Sequence, residues 1–274
     1  MNDHGAVKGL SNEAYRASRG LSHSELKRLM KSPWHYYALT QPSAPPSEPT
    51  AAMMAGTLCH CATLEPREWK NRYAVGPEVK AKTEKAWKEF EAANPQRECI
   101  TPKQAEKAWL QAQELRGHPL IGDLLSAGDA EVSIYWQDPA TNILCKGRPD
   151  WVHYCGTHAH PSVILVDVKT SADASPEGFT KSVANFGYHT QAAWYCAGYE
   201  AATGVRAEAM VFAVVENEYP YACAAYVIDD GSLLRAQARI REALDSYVKC
   251  SDSGDWHSYS RDLQVISLPR WAMQ

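Results

Sequence analysis

A chain of 274 residues, 45% of them hydrophobic, is long enough to bury a substantial core as one large domain. It carries 28 Lys and Arg against 32 Asp and Glu, a net charge of −4, which excludes a broad basic footprint and leaves any nucleic-acid path to a local channel assembled by folding or subunit association. No stretch reads as a signal peptide or a membrane span, and eight cysteines without CxxC spacing read as reduced thiols, so a soluble cytoplasmic protein with no membrane partner is expected.

Residues 1–20 are polar and read as a flexible segment. Residues 21–274 read as a single domain: mostly helical over 21–127, an α/β core over 128–250, and a tail over 251–274. Ser22 and Glu25 form a Ser-x-x-Glu capping box with Leu21 and Leu26 as its staple, starting a helix that ends near Ser32 and Pro33. A short aromatic helix over 34–39 and a proline-rich loop over 41–50 follow. A helix over 53–69 carries His60, with Gly56 one turn earlier permitting close backbone approach. Taken alone, His60 is a histidine satisfied inside a helical interface. Residues 80–127 read as helical throughout, with Thr101, Pro102 and Gln104 capping one helix. Residues 131–137 read as a strand with Glu131, Ser133 and Tyr135 on one face; on its own, Glu131 is an edge acid.

Two β-like runs, 144–154 and 162–169, are joined by a polar turn over 156–161. Alternation places Lys146, Arg148 and Asp150 on one face of the first, and Asp167 and Lys169 on one face of the second. Two carboxylates ~4 Å apart repel by about 4 kcal/mol at an effective dielectric near 20, so something positive belongs between Asp150 and Asp167. A hard divalent cation, Mg²⁺ with Mn²⁺ as a substitute, suits oxygen ligands. Lys169 is placed to reach a water on that cation or a phosphate oxygen, and a metal beside a lysine is a phosphodiester-cutting arrangement. His153, Cys155, His158 and His160 match no structural zinc spacing and read as a solvated turn. Thr170 and Ser171 are suited either to donate to a phosphate or to form a turn. After a helix start at Ser175 and Pro176, Gln191 and Tyr195 share a face of a helix over 189–202. Strands over 207–216 and 221–228, a helix over 233–249 and an apolar tail with Trp256, Tyr259, Ile266, Pro269 and Trp271 complete the chain; the tail is suited to dock on the body or on another subunit.

Taken in order, Gly56-Thr57-Leu58-Cys59-His60, Glu131, Pro149-Asp150, Asp167-Val168-Lys169, and Gln191 with Tyr195 resemble the GTxxH, PD-(D/E)xK and QxxxY elements of the RecB-like group in the PD-(D/E)xK nuclease superfamily. With the opening GLSHSELKRLMKSPWHYY they are similar to the RecE (exodeoxyribonuclease VIII) C-terminal nuclease branch of bacteria and their phages. The resemblance implies an α/β, restriction-endonuclease-like mixed β-sheet core flanked by helices, with a helical N-terminal portion. It implies Asp150, Asp167, Lys169, Gln191, Tyr195 and Glu131 as catalytic residues, and His60, Asp150, Asp167 and the Val168 carbonyl as metal ligands. Lys146, Arg148, Thr170 and Ser171 are the expected DNA contacts. The implied activity is Mg²⁺-dependent 5′ to 3′ degradation of linear double-stranded DNA in recombination and end processing. A ring-like homotetramer and a single-strand annealing protein as partner are implied by the same resemblance. An endonuclease of the same chemistry, or a non-catalytic DNA-binding module, is the alternative.

Overall fold

A computed structural model describes residues 4–46, 49–269 and 272–273. The first elements are β1 (Gly5–Val7), α1 (Asn12–Ala17) and β2 (Leu21–Ser22), followed by α2 (His23–Lys31) and α3 (Pro33–Thr40). The Ser22 and Glu25 capping box starts α2, and Ser32 both ends it and caps α3 ahead of Pro33. Next come α4 (Ala51–Leu64), α5 (Trp69–Arg72), β3 (Tyr73–Val75), α6 (Lys85–Ala93) and β4 (Glu98–Ile100). Thr101 and Gln104 close a second capping box on α7 (Pro102–Gly117), and α8 (Pro119–Leu124) follows directly. The second half runs β5 (Asp129–Ala130), β6 (Ser133–Gln137), β7 (Leu144–Gly147), β8 (Trp151–Gly156) and β9 (Pro161–Ser171). It ends with α9 (Pro176–Phe186), α10 (Tyr188–Thr203), β10 (Arg206–Glu216), β11 (Cys223–Tyr226) and α11 (Asp230–Ser253). None of the described helices is long and apolar enough to cross a membrane.

The architecture is mixed α/β. The larger sheet has the order β11-β10-β9-β8-β5, parallel between β9 and β10 and antiparallel elsewhere. Its central strand β9 buries both faces, as its continuous apolar run demands: Val163 and Leu165 join the core under α9, α10 and α11, while Val166 and Val168 face the core under α4 and α8. Asp167 and Lys169 continue the first face and Val168 the second, so one short stretch reaches helices on both sides of the sheet.

A smaller sheet, β1-β6-β7-β2, abuts the larger one. Here the structure departs from the sequence expectation. The run expected over 144–154 is two strands, because the chain leaves the small sheet after Gly147 and enters the large one at Trp151. Gly147 permits the crossing: a Cβ there would lie 3.1 Å from the Tyr195 ring and 3.2 Å from Ile134. Pro149 brings no N–H to a ladder at this point. The strand expected over 131–137 starts later, as β6 in the small sheet; β5 of the large sheet precedes it, and Glu131 lies between the two at φ 52°. A left-handed glutamate costs about 1–2 kcal/mol. It is held by its own N–H donating to the Asp150 carbonyl at 2.9 Å and by Arg148 Nε donating to its carbonyl at 3.0 Å. Both acids therefore sit where strands change sheets.

Within the opening segment, residues 5–7 and 12–17 form β1 and α1. Gly5–Val7 pairs with β6 in the register Gly5 to Tyr135, and Lys8 pairs with Asp129 at 2.6 Å. The Lys146 ammonium, expected on DNA, is buried and donates to the carbonyls of Tyr15, Arg16 and Ser18 at 3.2, 3.4 and 2.6 Å. It satisfies the free C-terminal carbonyls of α1, and burial pulls its pKa down. Replacing it by Met is expected to cost about 2–3 kcal/mol of stability, the worth of a charged hydrogen-bond donor, while leaving the salt dependence of DNA binding unchanged. Denaturant midpoints and a salt titration check the two halves of that statement.

Residues 80–127 contain a strand, β4, that pairs in parallel with β3 and buries Ile100 completely. The tail docks through Trp256, stacked on Tyr37 at 5.0 Å and packed against Tyr36 and Tyr247, whereas Tyr259, Ile266 and Pro269 are exposed. Trp271 lies outside the described residues. All eight cysteines are free thiols.

Candidate active site

Four elements meet at the joint between the sheets. From α4, His60 places Nε2 at 2.6 Å from the Val168 carbonyl and Nδ1 at 3.3 Å from Asp150 Oδ2. That same carboxylate oxygen accepts the Val168 N–H at 2.8 Å. One residue of β9 thus anchors both side chains. A ring nitrogen facing a carbonyl must donate, so hydrogen bonding assigns the proton to Nε2 and leaves Nδ1 with a lone pair. Burial, followed by the Lys169 charge, pushes the His60 pKa down, which keeps the ring neutral. A bare nitrogen and a carboxylate oxygen then face each other at 3.3 Å, an arrangement that calls for a positive centre between them.

Glu131 completes the set. Ligand atoms of His60, Glu131 and Asp150 all lie within 4.8 Å of one another. Arg148 Nε also donates to the Glu131 carboxylate at 2.8 Å, fixing its direction. Burial first, then the Asp150 charge, raises Glu131 to about 7. Asp150 is raised well above the usual carboxylate range by burial and by Asp167. One imidazole and two hard carboxylates that resist ionising in isolation suit a divalent cation as donors.

The second group is made by β9 and α10. Lys169 is ion-paired with Asp167, and its ammonium also lies 4.8 Å from the centre of the Tyr188 ring. Gln191 Nε2 donates to Asp167 Oδ1 at 2.7 Å. Among the described residues, Asp167 Oδ2 faces Lys169 and has no other partner. Burial pulls the lysine pKa down, but Asp167 and Asp150 together outweigh it and the net shift is upward. Lys169 is therefore an ammonium.

Of the residues singled out in the sequence, the structure gathers His60, Glu131, Asp150, Asp167, Val168, Lys169 and Gln191. It does not distribute them as expected. Glu131 stands directly in the three-donor group, Asp167 is engaged by Lys169 and Gln191, and the Val168 carbonyl is occupied as the acceptor for His60. Tyr195 is turned inward, against Gly147 and edge-on to His23 at 6.4 Å, and burial raises its phenol strongly. Arg148 is committed to Glu131 and to the carbonyls of Leu10 and Ser11, which removes it, like Lys146, from the expected DNA contacts. Ser171 forms a turn, donating to the Asp173 carbonyl at 2.7 Å and accepting its N–H at 3.2 Å. Thr170 stays half-buried near Gly56, 3.7 Å from where a Cβ there would be. His153 is turned to the Leu124 and Ala127 carbonyls at 3.0 Å each, while His158 and His160 are exposed in the hairpin.

A model of the PDDEXK-like domain of unknown function (DUF3799) matches residues 22–269. The chain belongs to this PDDEXK-like family. Among solved structures, one named "Putative exonuclease" from Eubacterium rectale is 15% identical, covers 97% of this chain and 98% of its own, and superposes at TM-score 0.63. An alkaline exonuclease from Laribacter hongkongensis, also 15% identical, covers 65% of this chain and 89% of its own at TM-score 0.25. No curated protein matches the chain. The PDDEXK-like assignment covers every element of the site, from α4 to α10. The three candidate donors His60, Glu131 and Asp150 all fall within the matched residues.

The raised carboxylate of Glu131 sets a pH dependence. A proton competes with any cation for this side chain below its pKa of about 7 and not above it. Apparent cation affinity is therefore expected to fall by roughly tenfold per pH unit below neutrality and to level off above it, read from cation-induced shifts in melting temperature between pH 5.5 and 8.5.

Proposed function

We propose that the chain is a metal-dependent deoxyribonuclease that degrades linear double-stranded DNA from its ends, 5′ to 3′, as the RecE-branch resemblance implies. The observation that carries this reading is the bare Nδ1 of His60 opposed to Asp150 and Glu131, with the Lys169 ammonium next along β9 from the Val168 that bonds both His60 and Asp150. His60, Glu131 and Asp150 are the residues that hold Mg²⁺ or, in its place, Mn²⁺, and Asp167 completes the negative surroundings. A bound divalent ion supplies Lewis acidity to the scissile phosphate and lowers the pKa of water. Asp167 and Gln191 fix Lys169, whose ammonium hydrogen-bonds the incoming water or a non-bridging phosphate oxygen and offsets charge as it builds up on phosphorus. Glu131, steered by Arg148, stays with the cation, and the proton the water releases passes by way of solvent to the leaving oxygen. Water attacks in line and the bridging oxygen leaves as a hydroxyl. Tyr195 and Arg148 act through Gln191 and Glu131 respectively. The same resemblance is the ground for a ring-like homotetramer, a single-strand annealing partner, a role in recombination, and a place in the cytoplasm of a bacterium or its phage-infected host.

End-labelled linear duplex and covalently closed plasmid, each with and without Mg²⁺, test the reading. Mononucleotide release from the linear substrate alone, and only with the cation, is expected. Cutting of closed plasmid makes the chain an endonuclease of the same chemistry. Binding without turnover in any divalent cation leaves a non-catalytic module.

A further inference from the structure

We infer that Phe186 is a stacking platform for an unpaired nucleobase at a DNA end, an inference that rests on the nuclease reading above. Phe186 closes α9 and is 52% exposed, although it lies beside a buried aromatic stack. Tyr188 is packed at 5.6 Å and 27° on Phe212 and at 5.8 Å and 27° on Phe179, so the Tyr188 ring is fixed from behind. Phe186 lies 5.7 Å from the outer side of this ring, and the Lys169 ammonium lies 4.8 Å from it. The turn between the two aromatics is set by Gly187 at φ 72°, a conformation strained for any other residue but asparagine. The exposed ring is thus held in place next to the site, where a large apolar side chain gains nothing from water.

Charge nearby specifies the occupant. Lys27 extends along this corner and donates to the Phe186 carbonyl at 3.4 Å, while the Lys169 ammonium lies 4.8 Å from the centre of the Tyr188 ring. A planar π-face flanked by cations fits a base attached to a phosphate. Inside a duplex both faces of every base are covered by neighbours, so this ring can be used only by a base at a frayed end or in a single strand. Recognition of that kind selects ends over uninterrupted duplex.

Equilibrium binding of fluorescent oligonucleotides with a single-stranded end, in EDTA, tests the inference in the full chain. Phe186→Ala is expected to weaken binding at least about fivefold, and Phe186→Trp to retain it. An abasic site moved through the last four nucleotides should weaken the wild type at one position by a similar factor and leave Phe186→Ala unaffected at that position. Under turnover, Phe186→Ala should raise KM with kcat within about twofold of wild type. Abasic losses that add to Phe186→Ala at every position, or unchanged binding in Phe186→Ala, overturn the inference. If wild-type chain digests no DNA with any cation but the abasic coupling persists, the catalytic reading fails and the base-binding site stands.

Discussion

Lys169→Met is expected to slow digestion of linear duplex by about a thousandfold or more, the loss seen when a preorganised charge aimed at a developing anion is removed. The geometry gives the lysine no substitute: Lys27 is held at the Phe186 corner, and Lys146 and Arg148 are spent on backbone carbonyls and Glu131. The same change strips Asp167 of its ion partner while Asp150 remains nearby, and an unpaired buried charge costs roughly 3–5 kcal/mol. Protonation of the carboxylates relieves that cost, so the stability gap from wild type should narrow as pH falls. Urea midpoints at pH 5 and pH 8, measured beside turnover, separate the catalytic from the structural loss. Lys169→Arg should not restore the rate, because a planar guanidinium cannot reproduce the packing of an ammonium between Asp167 and the Tyr188 ring. Wild-type turnover in a folded Lys169→Met chain would remove the lysine from the mechanism.

Asp150→Asn is expected to act in opposite directions on function and on stability. The asparagine oxygen can still accept the Val168 N–H, and its new N–H₂ can donate to the bare Nδ1 of His60, where the carboxylate could only oppose it. Asp150 is raised well above its usual pKa, so the native state binds its proton more tightly than the unfolded chain does. Wild-type stability from this group therefore falls as pH rises above the ordinary aspartate range, and Asn removes the fall. The metal-free variant should be more stable than wild type at pH 8, with the difference shrinking as pH falls toward the ordinary aspartate range. Its melting temperature should no longer respond to Mg²⁺, and DNA digestion should drop by about a thousandfold. A variant that keeps the cation response would take Asp150 out of the donor set.

What was legible in the sequence was local chemistry. Ser22 with Glu25, Thr101 with Gln104, and Ser175 with Pro176 each announce a helix start within four residues, and each caps one in the structure. The two-sided burial of β9 is written in its unbroken aliphatic run, and the ordered motif residues lie at one joint. The rest depends on contacts between distant segments. Alternation along 144–154 assumes a strand that stays in one sheet, whereas the chain there crosses from the small sheet to the large one, as it does around Glu131 between β5 and β6, and the two crossings bring Glu131 to Asp150. β4 exists because β3, over twenty residues earlier, pairs with it. Lys146 and Arg148 look like displayed cations until α1 presents carbonyls to them. Gly147 and Pro149 were the available hints of the crossing, since neither is at home in a continuous central strand.

Because Leu10, Ser11, Tyr15, Arg16 and Ser18 are held through their carbonyls by Lys146 and Arg148, the segment they belong to withholds two positive charges that DNA would otherwise find. A chain shortened to begin at Leu21 releases both guanidinium and ammonium and loosens the glutamate that Arg148 steers. Such a truncation should grip DNA more tightly, with a steeper dependence on salt, and yet cut it more slowly. Filter binding and turnover run side by side would show affinity and catalysis parting company.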